Sequence, residues 1–115
     1  MANILVVDDD RQIAELAKRL LERKQHNVSV AYNGKDALDI VKANYQNLDL
    51  IITDTVMPVM GGVQLIAESK NAGYANKILK MSGTDSELSG ADKFMAKPFK
   101  IETFYENIDS LLSSK

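Results

Sequence analysis

The residues best suited to chemistry in this sequence come directly after short apolar runs. They are Asp8 and Asp9 after NILVV, Asp54 after LDLIIT, Ser82 after KILKM, and Lys97 after FMA. An aspartate in such a place is a metal ligand, a nucleophile or the cap of a following turn, and its residue type alone leaves these roles open. If the apolar runs are parallel strands, their carboxyl ends share one edge of the sheet and these side chains can converge there.

A pocket that holds several carboxylates predicts a bound cation. Two like charges about 4 Å apart repel each other by about 4 kcal/mol at an effective dielectric constant near 20. The chain contains no cysteine, which excludes a thiolate metal site. Oxygen ligands without cysteine or histidine favour a hard divalent ion, most simply Mg²⁺ that keeps part of its hydration shell.

A divalent ion next to a carboxylate, a hydroxyl and an ammonium group is suited to phosphoryl transfer. In that chemistry Asp54 is the nucleophile and forms an aspartyl phosphate. The metal and Lys97 neutralise the oxygen atoms of the moving group, and Ser82 donates a hydrogen bond to one of them.

The stretch LDLIITDTVMPVMGG, residues 48–62, organises the chain around Asp54. Residues 48–52 are nearly all apolar and rich in branched side chains, which predicts a strand buried on both faces. Pro58 and the pair Gly61-Gly62 follow, so the strand has to end and the chain has to turn. Asp54 is therefore predicted at the carboxyl end of a central strand, where ligands bind in open α/β sheets.

The rest of the chain alternates short apolar runs with stretches of helical periodicity. The other predicted strands are Asn3–Val7, Val28–Ala31, Lys77–Met81 and Phe94–Ala96. Predicted amphipathic helices cover Arg11–Lys24, the stretch from Asn33 to about Asn44, Val63–Lys70 and Ile101–Leu112, with Leu16 and Ile101 among the residues expected to be buried. This alternation predicts an α/β fold with a parallel sheet and right-handed crossovers.

Length and composition indicate one globular domain that spans residues 1–115. The net charge of −2 argues against non-specific binding to nucleic acid. The amino terminus lacks a basic leader followed by a long apolar segment, and no apolar run approaches transmembrane length. We therefore expect neither a signal peptide nor a membrane span.

The interval between Ser82 and Lys97 is short. It holds fourteen residues, of which the last predicted strand takes about four. A crossover between parallel strands usually needs about a dozen or more residues, and Gly83 and Gly90 disfavour helix. The helix expected in this interval, the fourth in the chain, is therefore short or absent, and we expect residues 84–91 to form a flexible loop.

Several segments in order resemble the CheY-like receiver domain, the phospho-accepting module of two-component response regulators. They are ILVVDDD, DLIITDTVMPVMGG, KMSG and GADKFMAKPF. The resemblance covers essentially the whole chain. It implies a doubly wound, flavodoxin-like sheet with the strand order 2-1-3-4-5, here with a short or absent fourth helix.

The resemblance also implies roles for residues around the metal. Asp54 matches the aspartate that is phosphorylated. Asp9 matches the direct metal ligand, and Asp8 matches its partner that usually acts through water. Val56 stands where the family supplies a backbone carbonyl to the metal, a task for which the side chain matters little.

The resemblance also implies roles for residues that respond to the phosphoryl group. Ser82 matches the switch hydroxyl, and Lys97 matches the family's invariant lysine. Phe94 stands at the position of the switch aromatic residue, where phenylalanine can rotate inward but offers no phenol. The bond between Lys97 and Pro98 is commonly cis in the family, so Pro98 is a candidate cis-proline.

The function implied by the resemblance is that of a cytoplasmic signalling switch or phosphorelay intermediate. The chain would take a phosphoryl group from a histidine kinase or a histidine phosphotransfer protein, with Mg²⁺ as cofactor, and act on an unidentified protein target. It would be a signalling module with no output domain, no direct contact with nucleic acid and no turnover as an enzyme beyond its own phosphorylation and dephosphorylation.

Each of these residues also has a purely structural alternative. Asp8 and Asp9 can cap the first helix, Ser82 can be a turn residue, Lys97 can be a solvated surface lysine, and Phe94 can be a core residue. We interpret Asp10 as the helix cap and His26 as a surface residue without a role in phosphoryl transfer or metal binding.

Two other functions remain to be distinguished. The first is an interaction module of the receiver fold that no longer switches, since the short interval alters the usual output face. The second is a phosphatase of the haloacid-dehalogenase type, which also uses an aspartate at the end of a strand together with Mg²⁺. That mechanism needs a second aspartate two residues after the first, and Val56 occupies this position.

Overall fold

Strands and helices alternate along the chain in the computed structural model, which describes residues 1–83 and 87–113. The strands are β1 Asn3–Val7, β2 Asn27–Ala31, β3 Leu50–Asp54, β4 Lys77–Ser82 and β5 Lys93–Ala96. The helices are α1 Arg11–Glu22, α2 Gly34–Asn44, α3 Gly62–Asn71 and α4 Ile101–Ser113.

The strands form one five-stranded sheet in the order β2-β1-β3-β4-β5. Every neighbouring pair is parallel. Each crossover except the one between β4 and β5 passes through a helix in the described residues, as is usual for parallel connections. The predicted α/β class and strand order are confirmed.

Apolar side chains fill both faces of the sheet, because the strands lie between two layers of helices. One face packs against α1 and α4, with Val6, Ile52, Leu79, Leu20, Phe104 and Ile108 in its core. The other packs against α2 and α3, with Leu5, Ile51, Ile78, Val41, Leu65 and Ile66 in its core. This burial on both sides explains why the strands read as continuous apolar runs rather than alternating ones.

The central strand β3 begins two residues later than predicted and ends on Asp54 itself. Leu48 is buried but lies before the strand. The Asp49 backbone N–H donates to the Asn3 carbonyl at 2.8 Å, and the Asp49 side chain accepts from the Asn3 backbone N–H at 2.8 Å. The paired register between β1 and β3 starts one residue later, at Ile4 and Leu50.

Two residues predicted to be buried are exposed. In α1 the buried positions are Ala14, Ala17, Leu20 and Leu21, and Leu16 projects away from this stripe. Ile101 is the first residue of α4 and lies outside the turns that cover the sheet. The helix α1 also ends at Glu22 rather than at Lys24.

The connection between β4 and β5 contains no helix in its described part, residues 87–92. A turn replaces it, in which the Ala91 N–H donates to the Leu88 carbonyl at 2.9 Å. This agrees with the expectation of a short or absent helix. Of the predicted flexible loop, residues 84–86 lie outside the described residues, and flexibility of the remainder stays a prediction.

None of the helices in the described ranges is both long enough and apolar enough to span a bilayer.

Candidate functional site

The parallel register brings the ends of four strands to one edge of the sheet. Val7 pairs with Thr53, so the residues that follow β1 come next to the end of β3. Asp54 pairs with Met81. Ser82 pairs with Ala96, the residue before Lys97. The strand ends that carry Asp8, Asp54, Ser82 and Lys97 therefore come together because the strands are parallel and in this order.

Asp8 and Asp9 are not the cap of α1. That role belongs to Asp10, whose Oδ1 atom accepts hydrogen bonds from the backbone N–H groups of Gln12 at 3.0 Å and Ile13 at 3.3 Å. The buried Asp8 carboxylate accepts from the Asp10 N–H at 2.9 Å, which orients it towards the sheet edge. The interpretation of Asp10 as the cap is confirmed.

Asp54 is half-buried, and its carboxylate is held from two sides. Its Oδ1 atom accepts the backbone N–H of Thr55 at 2.8 Å. Its Oδ2 atom lies 3.2 Å from the Nζ atom of Lys97. The hydroxyl of Thr55 in turn donates to the Met81 carbonyl at 3.3 Å, which ties the end of β3 to β4.

Lys97 links the carboxylates of two strands. Its Nζ atom lies 2.7 Å from Oδ2 of Asp8 and 3.2 Å from Oδ2 of Asp54, and its side chain is 15% exposed. The alternative of a solvated surface lysine is therefore wrong. The backbone N–H of Lys97 donates to the Ser82 carbonyl at 2.9 Å, and the peptide bond between Lys97 and Pro98 is cis.

The electrostatics of the cluster follow from burial and from these contacts. Burial raises the pKa of the Asp8 carboxyl above its ordinary value, although the hydrogen bond from Lys97 acts in the opposite direction. Burial alone would lower the pKa of Lys97, but the carboxylates of Asp8 and Asp54 raise it above its ordinary value. The lysine is therefore a permanent cation at neutral pH.

The carboxylates of Asp8, Asp9 and Asp54 meet the geometric requirement for a shared cation. Each offers an oxygen atom, and these atoms all lie within 4.8 Å of one another. Lys97 carries a single positive charge against three carboxylates, so net negative charge remains. An all-oxygen set of this charge fits Mg²⁺.

The remaining predicted site residues differ in their burial and in their place in the sheet. Ser82 is buried at the last position of β4, so the alternative of a turn residue is wrong. Phe94 is half-buried in β5 opposite Lys80, and its role as a switch residue stays a prediction. The side chain of Val56 is exposed, and the proposed use of its carbonyl also stays a prediction.

Two contributors to the site escaped the sequence analysis. Thr55 holds Asp54 through its backbone N–H, and a backbone donor of this kind leaves no signal in residue type. Gly62 lies so near β3 that a Cβ atom on it would stand 2.1 Å from the Asp54 carbonyl oxygen. The run Gly61-Gly62 was a usable signal of this close approach.

A depression of about 880 Å³ opens at the opposite end of the sheet, away from the carboxylates. Ala2, His26, Asp49 and Lys77 are among the residues that line it. His26 is half-buried there rather than on the open surface, and its Nδ1 atom accepts the backbone N–H of Ala2 at 3.1 Å. No site residue predicted from the sequence lies in this depression.

Comparison with known proteins identifies relatives of both sequence and fold. The model of the response regulator receiver domain family matches residues 4–109. The transcriptional regulatory protein CpxR of Escherichia coli is 32% identical over 119 aligned residues, which cover 97% of this chain and 50% of that protein. The response regulator MprA of Mycolicibacterium vanbaalenii is 31% identical, over 95% of this chain and 49% of its own length. The chain spans about half the length of the curated relatives it matches.

Solved structures resemble the whole chain. The receiver domain of the Francisella response regulator 1452 has a TM-score of 0.88 and 29% identity, with 98% of both chains covered. TrrA from Thermotoga maritima, solved in complex with Mg²⁺ and BeF, has a TM-score of 0.87 and 32% identity, and the match covers 97% of this chain and all of that one.

Proposed function

Because the chain belongs to the response regulator receiver domain family, we propose that it accepts a phosphoryl group on Asp54 and serves as a signalling switch or a phosphorelay intermediate. The donor is a phosphohistidine on a histidine kinase or a histidine phosphotransfer protein. The observation that carries this proposal is the contact of Lys97 with the carboxylates of both Asp8 and Asp54 at 2.7 and 3.2 Å. A cation held between these strand ends is in place to receive a phosphoryl oxygen.

The transfer step uses groups that the chain already orients. An oxygen atom of the Asp54 carboxylate attacks the phosphorus atom, the bond between phosphorus and the histidine nitrogen breaks, and the imidazole takes the electron pair. The Thr55 N–H holds Oδ1 of Asp54 at 2.8 Å, so the carboxylate meets the donor in one orientation. Lys97 neutralises negative charge on the transferred group, and the Ser82 hydroxyl donates to one of its oxygen atoms.

Asp8, Asp9 and Asp54 are the residues that would hold Mg²⁺, together with the backbone carbonyl of Val56. Their oxygen atoms lie within 4.8 Å of one another, and the donor set contains oxygen alone. When bound, the ion neutralises charge on the phosphoryl oxygens. The Mg²⁺ and BeF complex of TrrA supports a site of this kind in the family.

The same residues argue against repeated turnover of external substrates. The position two residues after Asp54 is Val56, which has no group to act as an acid or base on a leaving alcohol. We therefore propose a signalling module whose chemistry is its own phosphorylation and dephosphorylation, rather than a haloacid-dehalogenase-type phosphatase. Cytoplasmic location and an unidentified protein as downstream target, without direct nucleic-acid contact, go with this proposal as expectations.

A second candidate is an interaction module of the receiver fold that does not switch. The observation that favours it is the connection after β4, whose described part, residues 87–92, has no helix to carry a signal.

Intact mass spectrometry separates these functions. The wild-type chain is incubated with MgCl₂ and acetyl phosphate, and then with a phosphorylated histidine phosphotransfer protein as donor. We expect one phosphoryl group that is stable in acid and labile in base, and no adduct on Asp54→Asn. No adduct on a folded wild-type chain would support the second candidate, and sustained hydrolysis of phosphate esters would support the phosphatase.

A further inference from the structure

The first residue of α2 touches the backbone of the loop that follows β3. We define the β3–α3 loop as residues 55–61. A Cβ atom added to Gly34 would lie 2.2 Å from the carbonyl oxygen of Met60 and 2.8 Å from its Cβ atom. Real Cβ atoms essentially never approach other heavy atoms within 3.0 Å. The helix and the loop are therefore so close at this point that only glycine fits.

The base of the β3–α3 loop is fixed to the end of β3. The backbone N–H of Gly62 donates to the Thr55 carbonyl at 2.9 Å. A Cβ atom on Gly62 would stand 2.1 Å from the Asp54 carbonyl oxygen. The base therefore has little freedom to shift, so a displacement forced on Met60 by a side chain at residue 34 has to be taken up by the residues between Thr55 and Met60.

The backbone inside the loop is strained, which indicates that contacts with neighbouring structure hold the loop in its conformation. Val59 has φ of +70°, which is strained for a β-branched residue, although its side chain is 79% exposed. The Met60 N–H donates to the Pro58 carbonyl at 2.8 Å across this residue. Such strain persists only where neighbouring structure holds it, and Met60 packs against the core between the sheet, α2 and α3.

We propose that Gly34 is a positioning residue for the Mg²⁺ site. The lack of a side chain at residue 34 lets α2 support the β3–α3 loop from the side of Met60. This support fixes the segment that carries Val56, whose carbonyl is the proposed metal ligand. The inference rests on the proposed function, because it takes the carboxylates of Asp8, Asp9 and Asp54 to bind Mg²⁺. A methyl group at residue 34 then weakens Mg²⁺ binding although it touches no ligand.

Calorimetric titration with MgCl₂ tests this inference on the wild-type chain and on Gly34→Ala. We expect the dissociation constant to rise by about tenfold or more, the effect typical of removing a group that orients a metal ligand. Ala43→Gly is the matched control, because Ala43 is exposed in the same helix and glycine there weakens the helix without contacting the loop. Its dissociation constant should stay within about twofold of wild type.

The outcomes separate this inference from the proposed function. A folded Gly34→Ala variant that binds Mg²⁺ as tightly as wild type overturns the inference alone. A wild-type chain that binds no Mg²⁺ overturns the proposed metal site and the inference together. If Gly34→Ala does not fold, Met60→Gly is a second variant, which removes the side chain by which the loop packs against the core. It should weaken Mg²⁺ binding to a similar degree, and an unchanged constant would overturn the inference.

Discussion

Lys97 is the residue on which the site's electrostatics depend most. In the described residues its Nζ atom lies between the carboxylates of Asp8 and Asp54, at 2.7 and 3.2 Å. Lys97 therefore affects the proposed chemistry in two ways. In the proposed function it would neutralise a phosphoryl oxygen, and before transfer it would compete with a metal ion for the same carboxylates.

Replacement of Lys97 separates these two effects. We expect Lys97→Gln to slow phosphorylation of Asp54 by acetyl phosphate about 100-fold, the typical effect of removing one charge-stabilising donor. Mg²⁺ affinity should be kept or increased, because a competing cation is lost. Intact mass against time and calorimetric titration measure the two quantities. Lys100→Gln is the control, since Lys100 is exposed and carries the same charge. Equal phosphorylation rates in the two variants would contradict the role of Lys97.

His26 predicts a dependence of stability on pH at the other end of the sheet. Burial lowers the pKa of this histidine below 6.5, and the nearby amino terminus adds to this, while Asp109 and Asp49 oppose it. The Nδ1 atom accepts the Ala2 N–H, which only the unprotonated nitrogen can do. The unfolded chain therefore binds a proton more readily than the folded chain.

The contribution of His26 to the free energy of unfolding is thus complete above pH 6.5 and decreases as the pH falls through the lowered folded pKa. Urea unfolding at about pH 7.5 and pH 5.5 measures it. We expect wild type to lose more stability over this range than His26→Gln, whose side chain does not titrate. The same loss in both proteins would show that other groups cause it.

At the scale of elements, a buried lysine anchors the crossover between β4 and β5, whose described residues form no helix. Lys80 is 1% exposed in β4, two residues before Ser82. Its Nζ atom donates to the Glu87 carbonyl and lies 3.5 Å from the Ser89 hydroxyl. The Nζ atom of Lys70 in α3 donates to the Gly90 carbonyl at 2.6 Å. Side chains from β4 and α3 therefore hold residues 87–91 of this connection.

Lys80→Met tests this anchoring because it keeps most of the side-chain volume and removes the donor. We expect the amides of residues 87–91 to exchange with solvent about tenfold faster, which corresponds to about 1.4 kcal/mol of local opening. Hydrogen exchange followed by mass spectrometry resolves this segment. Lys77→Met changes the half-buried lysine at the start of the same strand and should leave residues 87–91 unchanged. Unchanged exchange in Lys80→Met would show that Lys80 does not restrain the connection.

At the scale of the whole molecule, the sheet edge concentrates negative charge that folding alone does not neutralise. In the unfolded chain the carboxylates of Asp8, Asp9 and Asp54 are not held together. Folding places their oxygen atoms within 4.8 Å of one another. A cation that binds this cluster binds the folded state in preference to the unfolded state. Ligand binding of this kind raises the free energy of unfolding.

We therefore expect Mg²⁺ to stabilise the protein against heat and urea. At a free concentration of 100 times the dissociation constant the gain is about 2.7 kcal/mol. Unfolding curves with MgCl₂, and with NaCl at equal ionic strength, measure the specific part. Asp9→Asn should abolish most of the gain. Because Asp9 is exposed, this substitution should change the stability measured without Mg²⁺ only slightly. A gain that persists in this variant would place the binding site elsewhere.

The fold class and the meeting of the candidate site residues at one edge of the sheet could be predicted from the sequence. Apolar runs that end in Asp8, Asp54, Ser82 and Lys97 are sufficient, because parallel strands place every carboxyl end at one edge. The short interval before Lys97 likewise predicted that the fourth crossover would lack a full helix. These features are local in the sequence or follow from a general rule of parallel sheets.

The contacts that hold the candidate site could be seen only in the folded chain. The choice of Asp8 and Asp54 as partners of Lys97, the approach of Gly34 to Met60 and the burial of Lys80 are contacts between distant segments. The exposure of Leu16 and Ile101 could not be predicted from the sequence either, because both fit the apolar periodicity of their helices. Periodicity states which side chains can share a face, whereas the rotation of each helix against the sheet decides which of them are buried.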